Sequence, residues 1–166
     1  MKKLSIALSS LALCFSVEAG AAEPASLYVI KSVNIDAPAT AAWNKLARFG
    51  DLGAWHPAVK KTEITDGADG ESGATRALTL QDGGKIREKL TAYDQGNKTM
   101  SYVIIDGVLP VAAYASTLHV HPNGANKSVV VWEAHFQAQG VSDQAASDII
   151  NSVYDGGLGN LKKILE

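Results

Sequence analysis

The stretch from Ser142 to Leu165 constrains this chain more than any other. Ala146, Ile149, Ile150, Val153, Leu161 and Ile164 recur at intervals of three and four, and Gly157 fills the slot between Val153 and Leu161. That period belongs to an amphipathic helix with one apolar face. Ser142 supplies an N-cap, Asp143 stands in the first turn, and Lys162 and Lys163 stand in the last. These placements suit the helix dipole. Gly156, Gly157 and Gly159 oppose the helix, each by up to about 1 kcal/mol relative to alanine. Two uses would account for them: close approach of a neighbouring backbone or a ligand, or a kink within the helix.

One long helix needs a sheet to cover its apolar face, and residues 27–138 provide the strands. Leu27 to Ile35 alternates, with Val29, Val33 and Ile35 on one face, until Asp36-Ala37-Pro38 ends it. Ala39 to Phe49 reads as a helix, with Ala42, Trp43, Leu46 and Ala47 on one side. A second short helix fits before Pro57. Strands follow over Ala58 to Thr65, Thr75 to Leu80, Lys85 to Tyr93, Thr99 to Ile105, Ala113 to His121 and Ser128 to Ala138. Asp82-Gly83-Gly84 and Pro122 to Asn126 are hairpin signals. Short loops between successive strands make an antiparallel meander, and the long helix fills its concave face.

The first residues read differently. Lys2 and Lys3 precede an apolar run from Leu4 to Val17, and Ala19-Gly20-Ala21-Ala22 follows. This is the pattern of a secretory signal peptide, cut after Ala21 or Ala22. The run is short for a membrane span. The expected division is a signal peptide over 1–22 and one domain over 23–166, exported to the periplasm. Cys14 lies in the apolar run behind Leu13, too large a residue for a lipoprotein signal, so no lipid anchor is expected. The mature chain would then carry no cysteine and no disulfide. Removing Lys2, Lys3 and Glu18 from 15 basic and 17 acidic residues leaves 13 and 16, a net charge of −3. With no basic patch, nucleic acid is excluded as a partner.

Several segments carry a resemblance: V-N-I-D-A-P-A-T-A-A-W at 33–43, F-G-D-L-G-A-W-H-P at 49–57 and G-A-T-R-A-L-T-L at 73–80. D-G-G-K-I-R-E-K-L at 82–90 and L-P-V-A-A-Y at 109–114 add to it. Over residues 27–165 the chain resembles the polyketide cyclase/dehydrase branch of the START-like superfamily. The resemblance implies an α+β helix-grip fold: a seven-stranded antiparallel sheet wrapped around a C-terminal helix, enclosing an apolar cavity. The signal peptide and the ending G-L-G-N-L-K-K further resemble periplasmic accessory proteins of bacterial methanol oxidation. A periplasmic dehydrogenase is the partner that this implies. A superfamily of this breadth leaves the activity open.

The candidate chemistry centres on Arg76 and Glu88. Alternation puts Arg76 with Leu78 and Leu80, and Glu88 with Ile86 and Leu90, so both charges project among apolar side chains. If Asp82-Gly83-Gly84 is the hairpin loop, Leu78 faces Glu88 and Arg76 is its diagonal neighbour. The two pair with each other, or they pair with a ligand to which Arg76 offers a bidentate fork. Tyr114, Leu118, Val120, Val130, Trp132 and Phe136 share the inner face of the last hairpin. His119, His121, Glu133 and His135 then look outward, and no metal is expected. Trp55-His56-Pro57, Asp82-Gly83-Gly84, Val108-Leu109-Pro110 and Gly140-Val141 gather at one end of the meander. They form a gate to the cavity there, unless Trp55 merely caps the core.

The expected lining is therefore Arg76, Leu78, Glu88, Tyr102, Tyr114, Trp132 and Val153, with Trp55, His56, Leu109 and Pro110 at the mouth. No nucleophile motif, phosphate loop or dinucleotide fingerprint is present, so no cofactor is implied. The leading expectation is non-enzymatic binding of a hydrophobic or aromatic small molecule. The alternatives are a cyclase or dehydratase, working by acid–base chemistry at Glu88, Arg76, His56 or a tyrosine, and an accessory protein of a periplasmic dehydrogenase.

Overall fold

The computed structural model describes residues 26–166. The proposed signal peptide and Cys14 fall outside the described residues. Among the described residues, no helix is long and apolar enough to cross a membrane. Alternating β-branched and aromatic residues build β1 Leu27–Ile35, β2 Val59–Asp66, β3 Thr75–Leu80, β4 Lys85–Asp94, β5 Thr99–Gly107, β6 Val111–Pro122 and β7 Ser128–Ala138. They form one sheet in the order β1-β7-β6-β5-β4-β3-β2. β2 to β7 run as a meander, whereas β1 lies along β7. The link from β1 to β2 therefore crosses the whole sheet.

That link contains α1 (Ala39–Leu46) and a short 3-10 helix, Phe49–Ala54. The helix expected over Ala39 to Phe49 is thus shorter. Ala47 caps it, Arg48 turns extended, and Phe49 starts a separate turn that buries its ring completely. α2 (Asp143–Leu165) lies against β1 and β7. Sheet and helix together form the helix-grip arrangement. The Ser142 hydroxyl caps α2 by accepting from Ala145 N–H at 3.2 Å, and α2 runs through its three glycines unbroken.

The buried stripe of α2 is Ala146, Ile150, Tyr154, Gly157, Leu158 and Leu161. Ile149 and Ile164, expected on that face, are 36% and 44% exposed on its shoulders. The helix leans by one residue toward the Tyr154 side because Tyr154 stacks flat on Trp132, ring centroids 4.2 Å apart. Tyr114, Ser116, Leu118 and Val120 of β6 and Val130, Trp132, Ala134 and Phe136 of β7 complete the interior. Each large apolar side chain buried there contributes roughly 1.5–3 kcal/mol.

Candidate functional site

Arg76 and Glu88 stand directly opposite each other on β3 and β4, and Leu78 faces Ile86. The expected register was displaced by one pair. The turn is Gln81-Asp82-Gly83: Leu80 N–H donates to Gly84 O, and Gly83 takes φ 91°. A left-handed glycine at the third loop position is the usual geometry of a three-residue hairpin loop. Arg76 Nε donates to Glu88 Oε2 at 2.6 Å, and Nη1 donates to Phe49 O at 2.7 Å. The guanidinium is also held over the rings of Phe49 and Tyr102, at 4.0 and 5.0 Å. The two residues are 3% and 5% exposed. They pair with each other, and Arg76 does not line the cavity, although Glu88 does.

His56 is buried, 3% exposed, and lines the cavity. Its Nδ1 accepts from Ala58 N–H at 3.2 Å, which leaves Nε2 as the protonated nitrogen that donates to Val153 O at 3.0 Å. Burial pushes its pKa down and the Arg76 charge adds to this, while the Val153 carbonyl opposes it. Both ring nitrogens of a neutral imidazole are thus committed. Trp55, 3% exposed, packs on His56 and Trp132, and its carbonyl accepts from Asn160 Nδ2. It caps the core and lies off the cavity wall.

A polar network crosses the floor of the helix groove. Ser116 Oγ donates to Glu133 O, so it can only accept from Tyr154. Tyr154 spends its proton on Ser116 and accepts from Tyr114, 2.6 Å away. Trp132 Nε1–H is shared between Ser116 and Tyr102. Ser116 then has both lone pairs occupied. Making all these contacts fixes the direction of every proton in the network except that of the Tyr102 hydroxyl. Burial, with neighbouring phenols and the Glu88 charge, holds Tyr102, Tyr114 and Tyr154 well above the ordinary phenol pKa. These groups act as hydrogen-bond donors, not as bases. Tyr154 and Ser116 were missed in the sequence. Tyr154 follows Ile150 by one turn, and Ser116 alternates in step with Tyr114 and Leu118.

Between α2 and the sheet lies a cavity of about 70 Å3. Leu78, Glu88, Tyr102, Tyr114, Trp132, His56, Leu109 and Val153 all line it, whereas Arg76, Trp55 and Pro110 do not. Leu52, Ile86 and Ile150 add to its apolar wall. The expected loops do gather at one end. Gln81 N–H donates to Ala58 O, Val108 N–H to Lys85 O, and Gln139 N–H to Pro110 O. His119, His121 and His135 sit on the outer face, where His119 stacks on His121 and Tyr28 stacks on His135.

An antiparallel sheet gripping a C-terminal helix, with an apolar cavity between them, invites comparison with known proteins. The profile of a family described as polyketide cyclase/dehydrase and lipid transport matches residues 28–166. The chain belongs to that family. Among solved structures of similar fold is the protein XoxI from Bacillus cereus, with TM-score 0.78 and 27% identity, covering 83% of this chain and 94% of that one. A protein from Nitrosospira multiformis gives TM-score 0.74 and 24% identity, covering 84% and 97%. The Zhui aromatase/cyclase from a Streptomyces species gives 0.71 and 15%, covering 85% and 94%. The last two are likenesses of fold. No curated protein matches the chain. The family match spans β1 from its second residue, the other six strands and both α-helices, so it covers every residue that lines the cavity of this polyketide cyclase/dehydrase family member.

Proposed function

We propose that this protein binds a hydrophobic or aromatic small molecule bearing a hydrogen-bond acceptor, and that it works as a carrier, sensor or accessory factor without catalysis. The observation that carries this reading is the Tyr102 hydroxyl on the wall of a mostly apolar cavity: it accepts from Trp132 Nε1–H at 2.9 Å, and its own proton can turn to a ligand. A single donor fixes the orientation of a ligand, while apolar walls supply its affinity. The commitments of the other polar groups favour binding over acid–base chemistry. His56 has no free nitrogen, Glu88 is paired with Arg76, and the phenols of Tyr114 and Tyr154 bond each other. At about 70 Å3 the cavity is smaller than the roughly 300–1,000 Å3 of usual ligand pockets, so the mouth loops must yield when a ring enters. Export through the Lys2–Ala22 segment is part of the proposal.

A second reading, an accessory protein of a periplasmic dehydrogenase, draws on the likeness to XoxI and on exposed apolar residues of the loop end. Val108 is 58% and Val141 42% exposed. The test of the first reading is calorimetry with acetophenone and α-methylstyrene, which share a shape but differ in the carbonyl. The protein should bind acetophenone about tenfold tighter, and Tyr102→Phe should remove that preference while keeping α-methylstyrene. Absence of binding by either probe would overturn the reading.

A further inference from the structure

β5 and β6 part company well before they end. Their ladder runs from Thr99–His119 to Val103–Ala115 and stops. Yet β5 continues to Gly107, and β6 already begins at Val111. Residues 104–107 and 111–114 therefore turn facing backbone edges toward a gap. Each strand also carries an extra residue there. On β5, Ile105 is unmatched where Arg87 pairs with Asp106 but Glu88 pairs with Ile104. On β6, the register against β7 slips between Ala112 and Ala115, and Ala113 takes φ 50°. A positive φ at a residue with a side chain is uncommon, and bulges are frequent beside functional sites. Two bulges on the two strands that flank one gap hold it open.

The gap is a cleft of about 410 Å3. Ile104, Leu109 and Tyr114 line both this cleft and the buried cavity, so the two spaces share a wall. Their chemistry differs. Asp106, Gln139 and the strand backbones make the cleft polar where the cavity is apolar. Among the described residues no lysine or arginine lines it, and the nearby cation Arg87 is held by Asp106 at 3.0 Å. Arg76, the cation that a carboxylate would seek inside, is spent on Glu88 and Phe49 O.

We propose that the β5–β6 cleft is the outer half of the ligand site. It takes the neutral, hydrogen-bonding end of an amphipathic molecule whose apolar end enters the cavity past Ile104, Leu109 and Tyr114. This rests on the binding reading above and adds a head-group chemistry to it. A cleft walled by strand backbone, Gln139 and the anionic Asp106, with no free cation beside it, suits a hydroxyl or amide and discriminates against a carboxylate.

The test is calorimetry with 1-octanol and octanoate, with α-methylstyrene as an apolar probe that has no head group for the cleft. Octanol should bind at least about tenfold tighter than octanoate. Ala112→Phe, which fills the cleft, should weaken octanol by a similar factor and leave α-methylstyrene unchanged. Asp106→Lys, at a side chain 56% exposed where folding tolerates exchange, should raise octanoate to the level of octanol. If α-methylstyrene binds but octanoate equals octanol on the unaltered protein, the cleft assignment falls alone. It also falls alone if neither variant changes either chain-bearing probe. If no probe binds, the cavity reading falls and takes this one with it.

Discussion

A methyl group on Gly157 would stand 2.5 Å from Cδ2 of His56 and 2.9 Å from Cζ3 of Trp132. The bare Cα in the middle of α2 is what lets the imidazole reach Val153 O, one helical turn earlier. The close approach expected at these glycines is therefore real at Gly157, but the neighbours are an imidazole and an indole, not a backbone. Among the described residues, a methyl group on Gly159 would meet nothing within 4 Å, and one on Gly156 only Pro57 Cγ at 4.0 Å.

Opposite signs follow for two alanine substitutions in one helix. Gly159→Ala should stabilise by up to about 1 kcal/mol through helix propensity alone. Gly157→Ala gains the same propensity but must displace His56 or Trp132, and overpacking of this kind costs roughly 1–3 kcal/mol. Urea unfolding of the two variants should place them on either side of the parent. Stabilisation by Gly157→Ala would mean that His56 does not occupy that groove.

His56 also sets a pH dependence. Its folded pKa lies below the ordinary value of about 6.5, so the unfolded chain binds the proton more readily. Stability is full above that unfolded value and falls as pH drops below it toward the folded pKa. Thermal unfolding from pH 8 to pH 5 should show a loss beginning near 6.5. His56→Gln should show a shallower loss over the same range, although it starts from a lower stability. Parallel curves for the two proteins would assign the loss to other groups.

Elements were readable in the sequence where one period governed a segment. β1 and β7 match their expected ends, because strict alternation met a proline or a turn at each boundary. The inner face of β6 and β7 was legible for the same reason. What alternation could not give was the partner across a turn. The position of one left-handed glycine, Gly83, decided whether Arg76 met Glu88 or Leu78 did. The bulges at Ile105 and Ala113 were hidden too, since neither has the glycine that usually marks one. Tyr154 was hidden by its hydroxyl. A phenol counts as apolar only when a network such as Ser116 and Tyr114 receives its proton.

Export rests on the basic start and the small residues at 19–22. Intact mass of protein from a periplasmic fraction should correspond to a chain beginning at Ala22 or Glu23. A full-length chain confined to the cytoplasm would remove the periplasm from the proposed function.

The Arg76–Glu88 pair tests the interior itself. Both side chains are almost wholly buried, and Arg76 is further fixed by Phe49 O and two aromatic faces. Removing one charge leaves the other without compensation in a poorly polarisable surrounding, at a cost of roughly 3–5 kcal/mol. Glu88→Gln should therefore destabilise strongly. Arg76→Met should cost as much or more, because Phe49 O also loses its donor. The double variant removes the stranded charge and should recover part of the loss, giving a coupling well above the roughly 0–1 kcal/mol of an exposed pair. Chemical denaturation of the four proteins measures it. The double variant should also retain α-methylstyrene binding, since Arg76 does not line the cavity and Glu88 contributes only one wall. Additive single effects would mean that the two charges reach solvent separately, and that the β3–β4 register does not hold them face to face.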